Sequence, residues 1–273
     1  MAKPKKDWSD DFVYHWKYFE VPSRPSPSDI EFIKKKILGK GRNAKILILG
    51  ATPEYRNLCG ELGISVTLMD FSRKNYDYLS DEVKNKPKEI FIEGNWLSKA
   101  LDEKFDIILG DNVINVIAKE DVPKLLSNAA KMLKKDGFFM PRTYVRDRGE
   151  RYTGEKVIKE YRTERKGQSL FTGTMRNFLV AAYDFDEERV IFSDIRQLVK
   201  ELHNKGIMSD EEVEEYENFS LDRDFRIFIP LREDIDMVFS GLFEIKEIFY
   251  GAEKYLKNQL PLYVLGRKQD AIE

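Results

Sequence analysis

Four short segments of the chain carry residue types that suit one ligand. Gly50-Ala51-Thr52-Pro53-Glu54 follows an apolar run and opens with glycine. Glycine lets a backbone turn sharply and lets a ligand come close. Asp70, followed by Phe71, stands twenty residues past that glycine, at the end of a second apolar run. A carboxylate there can accept hydrogen bonds from both ribose hydroxyls of a nucleoside. Asn95-Trp96 closes a third segment and Asp111-Asn112 a fourth. An amide can pair with a purine edge, and an indole offers a stacking face. Each has a plainer reading: a turn glycine, a solvated acid, a core tryptophan. Four consecutive segments delivering fitting groups at one place favour nucleoside binding.

Those groups need a frame that brings them together. Lys45-Ile46-Leu47-Ile48-Leu49-Gly50 is a short continuous apolar run that stops at glycine, as a strand buried on both faces requires. Further runs follow at Ile64–Asp70, Lys88–Ile92, Phe105–Gly110 and from Phe138. Between them lie helical stripes: Tyr55, Leu58, Cys59 and Leu62, then Tyr76, Leu79 and Val83, then Val122, Leu125, Leu126, Ala129 and Leu133. An earlier helix over Ile30, Ile33 and Ile37 is expected to start at a Ser28 cap. Alternating strands and helices predict an α/β fold with a parallel sheet and helices on both faces. In such a sheet ligands bind outside the carboxyl ends of the strands, where all four segments fall.

Beyond Tyr144 the rhythm breaks. Arg146 to Lys166 is dense in charge and is expected to be a mobile loop or an irregular hairpin. Three helical stripes follow: Met175–Tyr183 capped by Thr174, Ile195–Leu202, and an acidic helix opened by the capping box at Ser209. A further stripe covers Leu231, Ile235, Val238 and Phe239, and the chain closes on two strand-like runs, Phe243–Tyr250 and Leu260–Gly266. About ten residues separate those runs, too few for a helical crossover, so they are expected to pair as an antiparallel hairpin.

Composition removes several classes. The 273 residues carry 46 Lys+Arg against 48 Asp+Glu, a net charge of −2, which argues against a broad nucleic-acid surface. The 34% charged share exceeds the usual ~25%, while the 42% hydrophobic share suits a globular chain. No apolar stretch is long enough to span a membrane. The segment MAKPKKDWSDDF lacks a signal peptide's apolar core. With one cysteine, Cys59, and two histidines, His15 and His203, no disulfide, cysteine-based zinc site or histidine-rich metal centre is expected. A cytoplasmic location is the expectation.

The segments KILILGATPE (45–54), VTLMDFS (66–72), EGNW (93–96), FDIILGDNVIN (105–115) and LKKDGFFMPRTY (133–144) resemble the class I S-adenosylmethionine-dependent methyltransferases. The resemblance covers roughly Ile30 to Tyr144 and the terminal hairpin. It implies a Rossmann-like three-layer sandwich: a mostly parallel seven-stranded sheet with a C-terminal antiparallel hairpin strand, here with a helical insertion. It divides the chain into an aromatic and proline-rich segment (1–28) and a methyltransferase-like domain (29–273), with the insertion at about 146–224. By the resemblance, Gly50, Ala51, Thr52, Pro53 and Glu54 lie under the methionine part of S-adenosylmethionine. Asp70, with Phe71, holds the ribose, Asn95 and Trp96 flank adenine, and Asp111 and Asn112 lie beside the methionine and sulfonium. The chain departs from the family at Ile48, where an acid is usual, at Ala51, Thr52 and Glu54, where small residues are usual, and at Asn95, where aspartate is usual. A Gly-x-Thr-Pro-Glu form occurs in a subset of these enzymes. Dinucleotide oxidoreductases share the sheet, but Gly50 has no second glycine at G-x-G-x-x-G spacing.

Methyl transfer from a sulfonium chiefly needs donor and acceptor in line, which positioning can favour by ~7–11 kcal/mol. Asp111 is the expected orienting carboxylate, Tyr144 a phenol with the same use, and Arg142 a group that binds an acidic substrate or forms a surface ion pair. The aromatic N-terminal segment, with Tyr14 and Tyr18, and the helices of the insertion are expected to cover the cofactor. A small-molecule acceptor is expected first and a protein second. Nucleic acid is disfavoured by the acidic stretch Asp210–Glu217, and no membrane or metal partner is expected. A second reading is an inactive relative that binds S-adenosylmethionine and serves as a binding or partner module.

Overall fold

The computed structural model describes residue 16 and residues 19–217, 225–256 and 258–268. Tyr14, Tyr18 and His15 lie outside the described residues. One seven-stranded sheet carries the chain. Its strands are β1 (Ile46–Leu49), β2 (Val66–Asp70), β3 (Glu89–Glu93), β4 (Phe105–Asp111), β5 (Leu133–Arg142), β8 (Phe243–Phe249) and β9 (Leu262–Arg267). A separate two-residue ribbon pairs β6 (Val190–Ile191) with β7 (Arg226–Ile227). The order in the sheet is β3-β2-β1-β4-β5-β9-β8. β1 to β5 pair in parallel, while β9 runs antiparallel to both β5 and β8. The predicted Rossmann-like sheet with its antiparallel C-terminal pair is therefore what the chain forms.

The apolar runs explain the layers. Leu47 and Leu49 pack into one cluster with α4 (Val122–Met132) and α9 (Arg232–Leu242), whereas Ile46 and Ile48 pack into another with α1 (Pro27–Lys40) and α2 (Pro53–Glu61). Successive strand residues point to opposite faces, so an unbroken apolar run serves both. The departure at Ile48 has this physical account: its side chain is fully buried core. Cys59, on α2, is buried in the same cluster.

Helix boundaries differ from expectation where capping was misread. Ser26, not Ser28, caps α1: its hydroxyl accepts from the Asp29 amide (3.1 Å), the Asp29 carboxylate accepts from the Ser26 amide (2.9 Å), and Pro27 takes the first turn. Ser28 Oγ instead accepts from the Ala252 amide (3.0 Å). Ser72 caps α3 (Arg73–Ser80). The charged stretch after Arg146 is neither hairpin nor loop throughout. It holds α5 (Gly154–Glu160) and a π-helical turn (Tyr161–Arg165), and a helix α6 (Leu170–Ala181) begins at a Ser169 cap well before Thr174. Gly154 permits α5 to approach α7 (Phe192–Asn204), since a Cβ there would lie 2.7 Å from Leu202. With the acidic helix α8 (Asp210–Glu217), these elements build a third apolar cluster, which includes Phe19 and Tyr144. Among the described residues no helix is long and apolar enough to cross a membrane, and no group of three or more His, Cys, Asp or Glu could hold a metal ion.

Candidate functional site

A cavity lies at the carboxyl edge of β1, β2 and β4, beneath α6, α7 and the short ribbon. Its floor begins at Gly50, whose φ of +96° lies in the left-handed region that glycine enters without strain. The Gly50 amide donates to Met69 O (2.8 Å), tying the turn to β2. A Cβ built on Gly50 would sit 3.9 Å from both Asp70 Oδ2 and the Trp96 ring, so the missing side chain leaves the space between those two groups open. Ala51 and Thr52 continue the wall, but Pro53 and Glu54 do not line it. Pro53 starts α2. Glu54 Oε1 accepts from Arg24 Nε (2.6 Å), and burial, partly offset by Arg24, raises its pKa.

Asp70 ends β2 and is 3% exposed. Its Oδ1 accepts from the Ser72 amide (2.9 Å), and among the described residues no cation pairs with it. Burial therefore pushes its pKa up to about 7, despite the amides of Ser72 and Phe71. Phe71 itself does not line the cavity, whereas Asn75 on α3 does. Trp96 lines it too, fixed by its indole N–H, which donates to Met69 O (2.7 Å). Asn95 faces elsewhere: it is exposed, and its side-chain oxygen accepts from the Leu97 amide (2.8 Å) in a local turn.

Asp111 and Asn112 extend from β4 into the cavity wall. Burial raises the Asp111 pKa to about 6, opposed by Arg142. Asn112 has φ +56°, and its amide donates to Arg142 O (2.8 Å). Arg142 corrects the expectation made for it. Its side chain is 1% exposed and meets neither solvent nor cavity. Nε pairs with Asp29 (3.1 Å), Nη1 with Asp111 (2.8 Å), and Nη2 donates to the carbonyls of Pro22 and of Arg24 (3.1 Å to the latter). It thus locks the segment 19–26 against the end of the sheet.

That segment forms a strap over the cavity. Trp16, Phe19 and Ser23 line the cavity on this side. The Ser169 amide donates to the Glu20 carboxylate (3.0 Å), the Glu20 amide donates to Thr172 Oγ1 (3.2 Å), and Phe19 meets Phe171 edge to face at 5.2 Å. The strap thereby docks on α6. Met175, Phe192, Phe225 and Ile227 bring the insertion to the same cavity.

Asn115 is a residue the sequence did not single out. Its side chain donates to Tyr144 O (2.9 Å) and Phe228 O (2.8 Å) and accepts from Thr143 Oγ1 (2.8 Å) and the Tyr144 amide (2.9 Å). It joins β4, the end of β5 and the strand leaving the insertion. Asn75, Ser23 and Met175 were likewise missed; Asn75, three residues past the Ser72 cap, had a usable signal in its place on the helix facing Asp70. Residues lining the cavity carry buried polar atoms without a partner, Trp16 Nε1, Asn75 Oδ1 and Asn112 Oδ1, and the buried hydroxyls of Ser23 and Tyr144 have only each other. Native interiors rarely leave such atoms orphaned, and a ligand is one way to satisfy them.

A family model described as "Methyltransferase domain" matches residues 49–140, the stretch that supplies this floor. No curated protein sequence matches the chain. Among solved structures, the CcbJ methyltransferase of Streptomyces caelestis is similar with a TM-score of 0.60 at 10% identity, over 96% of this chain and 98% of that one. A Rhodobacter sphaeroides protein titled a zinc-dependent alcohol dehydrogenase has a TM-score of 0.60 at 18% identity, over 96% of each chain. The N-methyltransferase NodS of Bradyrhizobium japonicum, in complex with S-adenosyl-L-homocysteine, has a TM-score of 0.52 at 10% identity, over 96% of this chain and all of that one. At such identities these likenesses establish the fold. Residues 49–140 match the methyltransferase-domain model, and the sheet that contains them has the fold of these methyltransferase structures.

Proposed function

We propose that the protein binds S-adenosylmethionine at the carboxyl edge of β1, β2 and β4 and transfers its methyl group to a small-molecule acceptor held under the strap and insertion. One observation carries this reading: buried Asp70, the Trp96 ring and the open face of Gly50 surround one space, with unpartnered Asn75 Oδ1 and Asn112 Oδ1 at its wall. These residues fit the cofactor. The Asp70 carboxylate suits the ribose hydroxyls, Trp96 the adenine face, and Asp111 with Asn112 the amino-acid end. The Gly50–Thr52 backbone leaves room beneath them. Pro53, Glu54, Phe71 and Asn95 support the walls rather than touch the ligand. S-adenosylmethionine supplies an electrophilic methyl when bound. The protein's part is to align the acceptor and keep water out, which the strap and insertion are placed to do.

Calorimetric titration with S-adenosylmethionine and S-adenosylhomocysteine, with NAD as control, tests the reading. Micromolar binding of the first two with none of NAD is expected. Tight NAD binding, or no binding of either sulfur compound, would refute it.

A further inference from the structure

Once the cofactor is assigned to the sheet edge, one wall of the cavity has no role. It is formed by Trp16 and Phe19 of the strap, Met175 and Phe192 of α6 and α7, Phe225 just before β7, and Ile227 within it. None of the six is charged, and four are aromatic. Flat rings pack favourably against other flat rings, offset or edge to face. The cations that hold these segments in place are committed elsewhere. Arg142 is engaged at Nε, Nη1 and Nη2, Arg24 pairs with Glu54, and Arg176 pairs with Glu150. An anionic group entering here would lose its water and gain no counter-charge, which is prohibitive. The same lack of cations disfavours a phosphate backbone.

Yet the wall is not wholly apolar. Tyr144, Trp16 and Ser23 line the cavity; the Trp16 indole N–H is buried without a hydrogen-bond partner, and the buried Tyr144 hydroxyl has only the Ser23 hydroxyl beside it. Burial raises the Tyr144 pKa, so at neutral pH the phenol is protonated and can donate as well as accept. Unpaired buried donors are costly, so a ligand that meets them is favoured over one that cannot.

We propose that this wall is the acceptor site and that it takes an uncharged, flat, largely apolar molecule bearing a hydroxyl or neutral amine, whose polar atoms meet the Tyr144 hydroxyl and the Trp16 indole N–H. The inference rests on the S-adenosylmethionine reading above. In the transfer it serves, the acceptor's lone pair forms the new C–O or C–N bond. The C–S bond breaks with its electron pair remaining on sulfur, and the acceptor's proton is lost to bulk solvent as the product leaves. Tyr144 is a positioning donor in this arrangement.

The test uses the full chain and three probes of one shape: neutral 2-naphthol, anionic 2-naphthoate and cationic 2-(aminomethyl)naphthalene. S-adenosylhomocysteine is first titrated alone, then each probe is titrated into the protein saturated with it. Expected is binding of 2-naphthol at least about tenfold tighter than of either charged probe. Tyr144→Phe is expected to weaken 2-naphthol about tenfold while S-adenosylhomocysteine binds as before. Met175→Lys adds a cation to the wall and is expected to reverse the order, bringing 2-naphthoate above 2-naphthol. Equal binding of a charged probe by the unaltered protein, or no probe binding to the loaded protein, overturns the inference. Unchanged 2-naphthol binding by Tyr144→Phe overturns the role of Tyr144, even if Met175→Lys does not fold. Failure of S-adenosylhomocysteine alone to bind removes the cofactor reading and this inference with it, and is seen before any naphthalene is added.

Discussion

The floor of the cavity is set by strand ends, whereas its cover is held by side chains that reach far along the sequence. On the floor, Leu49 is registered against Met69 on one side and Gly110 on the other, so Gly50, Asp70 and Asp111 arrive side by side by backbone pairing alone. The cover has only the two-residue ribbon of β6 and β7 as a ladder. Arg142 meets Asp29 and the Pro22 carbonyl across 113 and 120 residues, and Asn115 meets Phe228 O across 113. A floor built this way tolerates changes of side chain and answers mainly in ligand affinity. A cover built on a few buried polar latches answers in stability.

The largest effect should come from breaking the arginine latch. Arg142→Ala would leave two buried carboxylates, Asp29 and Asp111, without their cation. A loss of ~3–5 kcal/mol in urea denaturation is expected. A loss below about 1 kcal/mol, the scale of a surface pair, would erase the contrast. Asn115→Ala comes next, stranding the Tyr144 amide and the carbonyls of Tyr144 and Phe228. It should cost ~2–3 kcal/mol in the same measurement.

On the floor, Asp70→Ala should weaken S-adenosylhomocysteine binding by ~1–3 kcal/mol in calorimetry, with the fold intact. An unchanged dissociation constant would remove Asp70 from the ribose site. The same residue sharpens the comparison through pH. Burial lifts its pKa from the usual carboxylate range to about 7, so between about pH 4 and 7 the folded chain keeps a proton the unfolded chain has released. Stability of the unliganded protein should then fall as pH rises through that window. Asp111, raised to about 6, acts in the same sense. Denaturation of Asp70→Asn, compared with the unaltered chain at both ends of the window, should show a shallower fall; parallel curves would contradict it. The smallest effect should be in the cover's mobility: S-adenosylhomocysteine should slow proteolytic cutting within 19–26 and 146–217, and unchanged cutting would argue that the cover does not respond to the cofactor.

The floor was legible because β1, β2 and β4 are mostly apolar runs that end at, or one residue before, Asp70, Asp111 and Gly50, with Trp96 three residues past β3. Gly50, Asp70, Trp96 and Asp111 could be placed together from order alone. Asn95 misled, since its type suited adenine but its side chain closes a turn on Leu97. Arg142 misled because an arginine after a strand carries no local sign of its partners, which lie 31 to 120 residues away. The helix α5 was hidden by its charge density. Only Val157 and Ile158 of its seven residues are large apolar side chains turned inward. Asn115 gave no signal because its three partner residues, Thr143, Tyr144 and Phe228, come from segments whose meeting is a tertiary event.

Cys59, the chain's single cysteine, sits deep beside β1, and burial pushes its thiol up to about 12. The thiolate that alkylating reagents require is therefore almost absent in the folded chain. Native labelling should leave Cys59 untouched, so a cysteine placed on the strap or on α6 would be the one reactive thiol. A dye or spin label attached there would follow the cover alone, and slow background alkylation at Cys59 would time how often the sheet's α1–α2 side opens.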